Sequence, residues 1–113
     1  MNFNFIEVTD KKLLEKVFEF RYKIFLEIYP KYLHNLNLKE KKEQDEYDLY
    51  SVHFAALDKN GEICATVRLI YNSPIGYPTQ NYMKISNINF DKSKLGEMSR
   101  IFVDAKYRNI QAT

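Results

Sequence analysis

The sequence predicts an α+β fold, a mainly antiparallel sheet with one helix packed on it. Three observations carry this. Residues 11–28 repeat apolar side chains at intervals of three and four, the helical period. Residues 51–71 are two alternating runs joined through Asn60-Gly61, a hairpin signature. Residues 96–104 form a further strand, and no helical crossover separates it from the hairpin, so antiparallel pairing is the economical arrangement.

Bulk properties narrow the classes. The 113 residues allow one domain, and a chain of this size buries about two thirds of its unfolded surface. Hydrophobic (45%) and charged (28%) contents are those of an ordinary globular protein. The 9 Tyr and 8 Phe, with no Trp, suggest a core or pocket walled by rings. Net charge is only +2 and the lysines are interleaved with glutamates, so no basic stripe argues for nucleic acid. The single cysteine, Cys64, excludes an internal disulfide and reads as a buried reduced thiol. No signal-peptide pattern opens the chain and no apolar run approaches membrane-spanning length, so a cytoplasmic protein is expected.

In order, Phe3–Val8 alternates Phe3 and Phe5 with Asn4 and Glu7, a short strand, and Thr9-Asp10 supplies a helix N-cap. The helix over 11–28 places Leu13, Leu14, Val17, Phe18, Phe20, Ile24, Phe25 and Ile28 on its apolar face. Arg21 lies at the edge of that stripe, either snorkelling to water or aimed into a site. Tyr29-Pro30 ends the helix. Residues 31–50 are polar, with a mixed charge run over Lys39–Glu46 that reads as solvated. Glu43, Asp45, Glu46 and Asp48 make an acidic cluster, but the spacing is not that of a calcium loop, and no metal site is expected.

Ser51–Asp58 and Ile63–Tyr71 are the hairpin strands around Lys59-Asn60-Gly61-Glu62, with Asn-Gly supplying positive φ. Arg68 is the odd residue there: it is at a sheet edge or held by a carboxylate. Asn72–Thr79 is a loop, Gln80–Ile85 a short helical turn, and Asn87–Gly96 a second loop with a short strand at Ile88–Phe90. The last strand, Gly96–Asp104, reads as a buried one carrying two opposite charges. Regular alternation puts Glu97 and Ser99 on one face with Ile101 and Val103, and Met98, Arg100 and Phe102 on the other. Glu97 then either pairs with an arginine or does chemistry. Histidines 34 and 53 do not combine with Cys64 into a nucleophile pair; His53 reads as a packed or orienting residue. The open edge of this strand leaves room for a homodimer or a domain swap.

The ordered set Arg21 and Phe25, Asp45 and Asp48, Arg68, then Glu97 and Arg100 resembles the acyl-homoserine-lactone synthases. The text Asp45-Glu46-Tyr47-Asp48 with Ser51 and His53, followed by Thr66-Val67-Arg68-Leu69-Ile70, looks closer to the long-chain N-acyl amino acid synthases and exosortase-associated acyltransferases. All belong to the GNAT acyltransferase superfamily, and the resemblance covers most of residues 13–108. It departs from the family where Arg108–Thr113 begins like the donor-binding loop but carries no Gly, and where Tyr29 or Tyr32 stands for an aromatic that is usually Trp. The fold it implies is the N-terminal half of a GNAT domain over 1–113, lacking the donor-binding loop and C-terminal strands.

The resemblance implies transfer of a fatty acyl group from a thioester, on acyl carrier protein or coenzyme A, to an amine such as an amino acid. No bound cofactor is implied beyond that co-substrate. Glu97, with Arg100, takes the catalytic role, Glu97 accepting the amine proton. Arg21, Phe25, Asp45, Asp48, Arg68 and Ser99 bind and orient the acceptor. A non-catalytic domain that has kept the sheet and acts as an interaction or regulatory module is the alternative.

Overall fold

The computed structural model describes residues 2–28, 36–82 and 94–108. Four strands, β1 (Asn4–Glu7), β4 (Ser51–Leu57), β5 (Ile63–Tyr71) and β6 (Gly96–Val103), form one sheet in the order β1-β4-β5-β6, and every neighbouring pair is antiparallel. Helix α1 (Lys11–Ile28) lies across one face of it. Two short strands, β2 (Leu36–Asn37) and β3 (Lys42–Glu43), make a separate two-stranded ribbon beside α1.

Asp10 caps α1, its Oδ2 accepting from the Leu13 amide at 3.0 Å. The helix buries Val17, Phe18, Phe20, Arg21, Ile24 and Phe25. Val8, Val17, Phe18 and Ala55 form the core cluster, with Leu13, Leu14, Leu57 and Ile63 packed around it. Each such side chain contributes about 1.5–3 kcal/mol by leaving water. Arg21 is not at the edge of the stripe but within it, 1% exposed. The residues expected to end the helix, Tyr29-Pro30, lie outside the described residues, as do Tyr32 and the strand expected at Ile88–Phe90.

In the charge run read as solvated, Lys39, Glu40, Lys41, Gln44 and Glu46 are exposed, but Lys42–Glu43 form β3 with Glu43 buried, and a 3-10 turn follows at Glu46–Tyr50. Asp45 caps that turn through the Tyr47 amide, and the Asp48 carboxylate accepts from the Asp45 amide at 2.8 Å, a reciprocal capping box. The helical turn expected from residue 80 begins earlier, at Pro78–Asn81. The hairpin forms where expected. Of its Asn-Gly pair only Gly61 takes positive φ (+80°), and Asp58 stabilises the turn by accepting from the Asn60 and Glu62 amides.

The two sheet faces differ: the one under α1 buries polar groups among its core side chains Ala55, Cys64 and Ile70. The face under α1 carries His53, Thr66 and Arg68, all buried. The opposite face is apolar: Phe5, Phe54, Val67, Met98, Ile101 and Val103 share it through the pairing register, and Phe5 is 78% exposed. Phe5 therefore points away from the helix, whereas Ile6, opposite Ala55, and Val8 just after the strand lie on the helix side. β6, expected to be buried and to leave an open edge, is among the described residues an edge strand, but Met98 and Ile101 are well exposed.

β6 is not regular. Arg68 pairs with Ser99 and Thr66 with Phe102, so Arg100 and Ile101 together oppose Val67. This is a β-bulge, and Arg100 occupies it with φ +54°. The extra residue resets the alternation. Glu97, Ser99, Arg100 and Phe102 all turn toward the helix side, and Met98, Ile101 and Val103 turn away. The opposite-face placement of Glu97 and Arg100 expected from a regular strand is corrected by that one residue.

A left-handed residue at position 100 yields a direct test. Gly carries no Cβ penalty there, whereas Ala does. Urea titration of R100G and R100A, both lacking the guanidinium, should find the Gly variant more stable by about 1 kcal/mol. In a regular strand the order would be the reverse.

Candidate functional site: a closed ring of arginines and carboxylates

Four separate segments meet under α1. Helix α1 contributes Arg21 and Phe25; β3 and the turn after it contribute Glu43, Asp45 and Asp48; β5 contributes Arg68; and β6 contributes Ser99 and Arg100. Their charges alternate around a closed circuit. Arg21 Nε donates to Glu43 Oε1 (2.7 Å), and Glu43 Oε1 and Oε2 receive Arg100 Nε (3.0 Å) and Nη2 (3.1 Å). Arg100 Nη2 also donates to Asp45 Oδ2 (2.9 Å), and Arg68 Nη1 donates to Asp45 Oδ1 (2.6 Å) and Asp48 Oδ1 (3.2 Å). Arg21 Nη1 and Nη2 grip Asp48 in a bidentate pair (2.8 and 3.0 Å), closing the ring.

Three guanidiniums meet three carboxylates, so the ring is formally neutral. That balance is what permits its burial: Arg21, Glu43, Asp48 and Arg68 are each under a tenth exposed, and an unpaired charge there would cost several kcal/mol. Each arginine also stacks on an aromatic ring. The Arg21 guanidinium lies 5.3 Å from the Phe18 centroid, Arg68 6.0 Å from Tyr47, and Arg100 5.3 Å from Phe25. Phe25 meets Phe102 edge-on at 5.4 Å. Part of the aromatic content thus serves as flooring for guanidiniums.

The environment sets the protonation states. Burial pushes the Asp48 carboxyl up, but the hydrogen bonds and charge of Arg21, with the Asp45 amide and the charge of Arg68, outweigh it and hold it at about 2. Burial acts on Glu43 in the same sense, and Arg21 and Arg100 hold it below the ordinary carboxylate range. Burial lowers His53 and the charge of Asp48 opposes it, with a net downward shift, so the imidazole is neutral at pH 7. His53 Nε2 faces the Asp48 carbonyl oxygen at 3.4 Å, which requires its proton on Nε2, and its ring packs edge-on against Phe18. It acts as a packed, orienting residue.

Of the residues expected from sequence, Arg21, Phe25, Asp45, Asp48, Arg68, Ser99 and Arg100 come together. Ser99 Oγ accepts from Arg68 Nε at 3.0 Å, which settles Arg68 as a buried, held side chain rather than an edge one. Glu97 stands on the same side of β6 but outside the ring. Its Oε1 accepts from the Thr79 amide at 3.1 Å, and among the described residues it forms no ion pair. The missed member is Glu43, 0% exposed and joined to both Arg21 and Arg100. A signal for it existed: in an extended segment, residues 43 and 45 project to the same side. A cleft of about 440 Å³ lined by Phe20, Cys64, Asp104 and Tyr107 includes no ring residue, so that hollow and the charged site are separate.

Comparison with known proteins identifies the family and the fold. Residues 20–113 match the family model for the acetyltransferase (GNAT) domain, and the chain belongs to that family. Its fold is similar to that of BjaI, a CoA-dependent acyl-homoserine lactone synthase, seen with SAM and isopentyl-CoA. The TM-score is 0.69 at 22% identity, over 95% of this chain and 53% of that one. The same protein with MTA gives 0.68 at 22% identity, covering 88% and 47%. TofI, in a ternary complex with an inhibitor and MTA, gives 0.64 at 24% identity, covering 91% and 57%. The chain thus spans about half the length of these structures. The α+β fold expected from sequence, part of a GNAT domain with an antiparallel sheet and a packed helix, is the fold observed.

Depressed carboxyl values make the ring acid-labile in a defined window. A group lowered in the folded state adds stability above its unfolded value and loses it as pH falls through the folded one. For Asp48 that window runs from about 3.8 down to about 2 and is worth about 2 kcal/mol. Chemical denaturation of D48N should show stability at pH 7 lowered by about 3–5 kcal/mol. Its further loss between about pH 4 and 2 should be shallower than in the wild type. An equally steep loss would remove Asp48 from the acid response.

Proposed function

We propose that this chain is the acceptor-side portion of an N-acyltransferase, which moves an acyl group from a thioester to an amine. The observation that supports it is the side shared by the ring and Glu97. Arg21, Asp45, Asp48, Arg68 and Arg100 build a rigid wall, and Glu97, spared from that ring, stands beside it with one oxygen steadied by the Thr79 amide. An amine must be neutral to attack, so a carboxylate not committed to a guanidinium is what the reaction needs. In this reading the acceptor lies against the wall, and Glu97 takes its proton directly or through water. The amine nitrogen bonds to the thioester carbonyl carbon, the C–S bond breaks, and the thiol leaves with a proton. Arg100 and Ser99 orient the acceptor together with Arg21, Phe25, Asp45, Asp48 and Arg68, a contribution of proximity and alignment. An amino acid or similar amine is the acceptor class, and a fatty acyl thioester of coenzyme A or acyl carrier protein is the donor. The CoA dependence of BjaI favours coenzyme A. No described helix is long and apolar enough to cross a membrane, in keeping with a cytoplasmic reaction.

One observation favours a second reading. The ring charges neutralise one another, so its guanidiniums are already engaged. A domain that keeps such a clasp for its fold alone would be an interaction module.

The two readings separate on Glu97. The protein is incubated with a panel of acyl-CoA and acyl-carrier-protein thioesters and amino acids, and free thiol and N-acyl product are quantified. E97Q should fold with an unchanged thermal midpoint and lose about 10²–10⁴-fold in turnover. Absence of amine-dependent thiol release by folded wild-type protein would favour the interaction module.

A further inference from the structure

We infer that Glu43 is a positioning residue of this site, holding Arg100 and the bulge beneath it in the orientation that faces the acceptor. The inference rests on the acyl-transfer reading for its functional meaning and on geometry for the rest. Glu43 is 0% exposed, and both of its oxygens are occupied. It is the sole ring member contacting Arg100 in a bidentate fashion; Asp45 reaches that side chain through one nitrogen.

The consequence follows from the backbone. Arg100 sits at φ +54°, a conformation a non-glycine residue leaves unless something retains it. If β6 relaxed to a regular strand, alternation would carry Arg100 to the apolar face beside Met98. Glu43 opposes that turn by gripping the guanidinium from β3. Charge balance points the same way. Removing Glu43 leaves three guanidiniums for two carboxylates. The Arg21 and Arg68 side chains are 1% exposed and keep Asp48, whereas that of Arg100 is 19% exposed and is the one that can escape to water. Loss of Glu43 is therefore felt at Arg100 first.

The test uses E43Q, isosteric but uncharged, with two readouts. Hydrogen exchange of the arginine Nε–H groups, followed by ¹⁵N NMR, should be about tenfold or more faster at Arg100 in the variant. At Arg68, whose Nε is held by Ser99, it should be unchanged. Unchanged protection of Arg100 overturns the inference. In acyl transfer, kcat should fall roughly tenfold to a hundredfold while KM for the thioester stays within about twofold. Adding E43Q to R100A should change kcat by less than about twofold, because the residue acts through Arg100. Independent, multiplying losses overturn the inference. If E43Q does not fold, E43D keeps the charge at shorter reach, and its Arg100 exchange must again rise while Arg68 holds. Should the wild type transfer no acyl group, the functional reading fails by itself, and the exchange measurement still decides whether Glu43 holds Arg100.

Discussion

Charge neutrality inside a closed ring is the constraint on which the described structure depends. Burying any one of these six groups alone would cost about several kcal/mol. Together they are affordable because each guanidinium meets two carboxylates and each carboxylate meets two guanidiniums. The ring therefore fixes where α1, β3, β5 and β6 sit relative to one another. It also explains why the helix can place Arg21 in the middle of its apolar stripe, a position that would otherwise break the core.

The bulge in β6 decides which of its charges join that ring. A regular strand would send Glu97 and Arg100 to opposite faces; the added residue brings both to the helix side. One is absorbed into the ring and the other is left out of it. The same chain segment thus supplies both a cation locked in the ring and a carboxylate that stands outside it.

Much of this was legible in the sequence, and the gaps have specific causes. The hairpin followed from alternation and Asn60-Gly61, and the helix from its period. The ordered charged residues pointed to one convergent site, which the geometry assembles. Glu43 was hidden because a run of alternating charges looks solvated unless its partners, distant in sequence, are known. The bulge was hidden because left-handed positions are usually marked by Gly or Asn, and here the marker is an arginine retained by ion pairs. For β1, alternation showed which residues share a face but not which face the helix would cover; Phe5 lies on the uncovered one.

The sequence separations within the ring carry a kinetic consequence. Arg68 and Asp48 are 20 residues apart, but Arg100 and Glu43 are 57 apart. Closure must therefore wait until the last strand adds to the hairpin, and until then the partly assembled charges stay hydrated. With dehydration of the full ring deferred to that docking, the ring would seal the sheet rather than nucleate it, and a contact formed so late would slow opening more than it speeds closing.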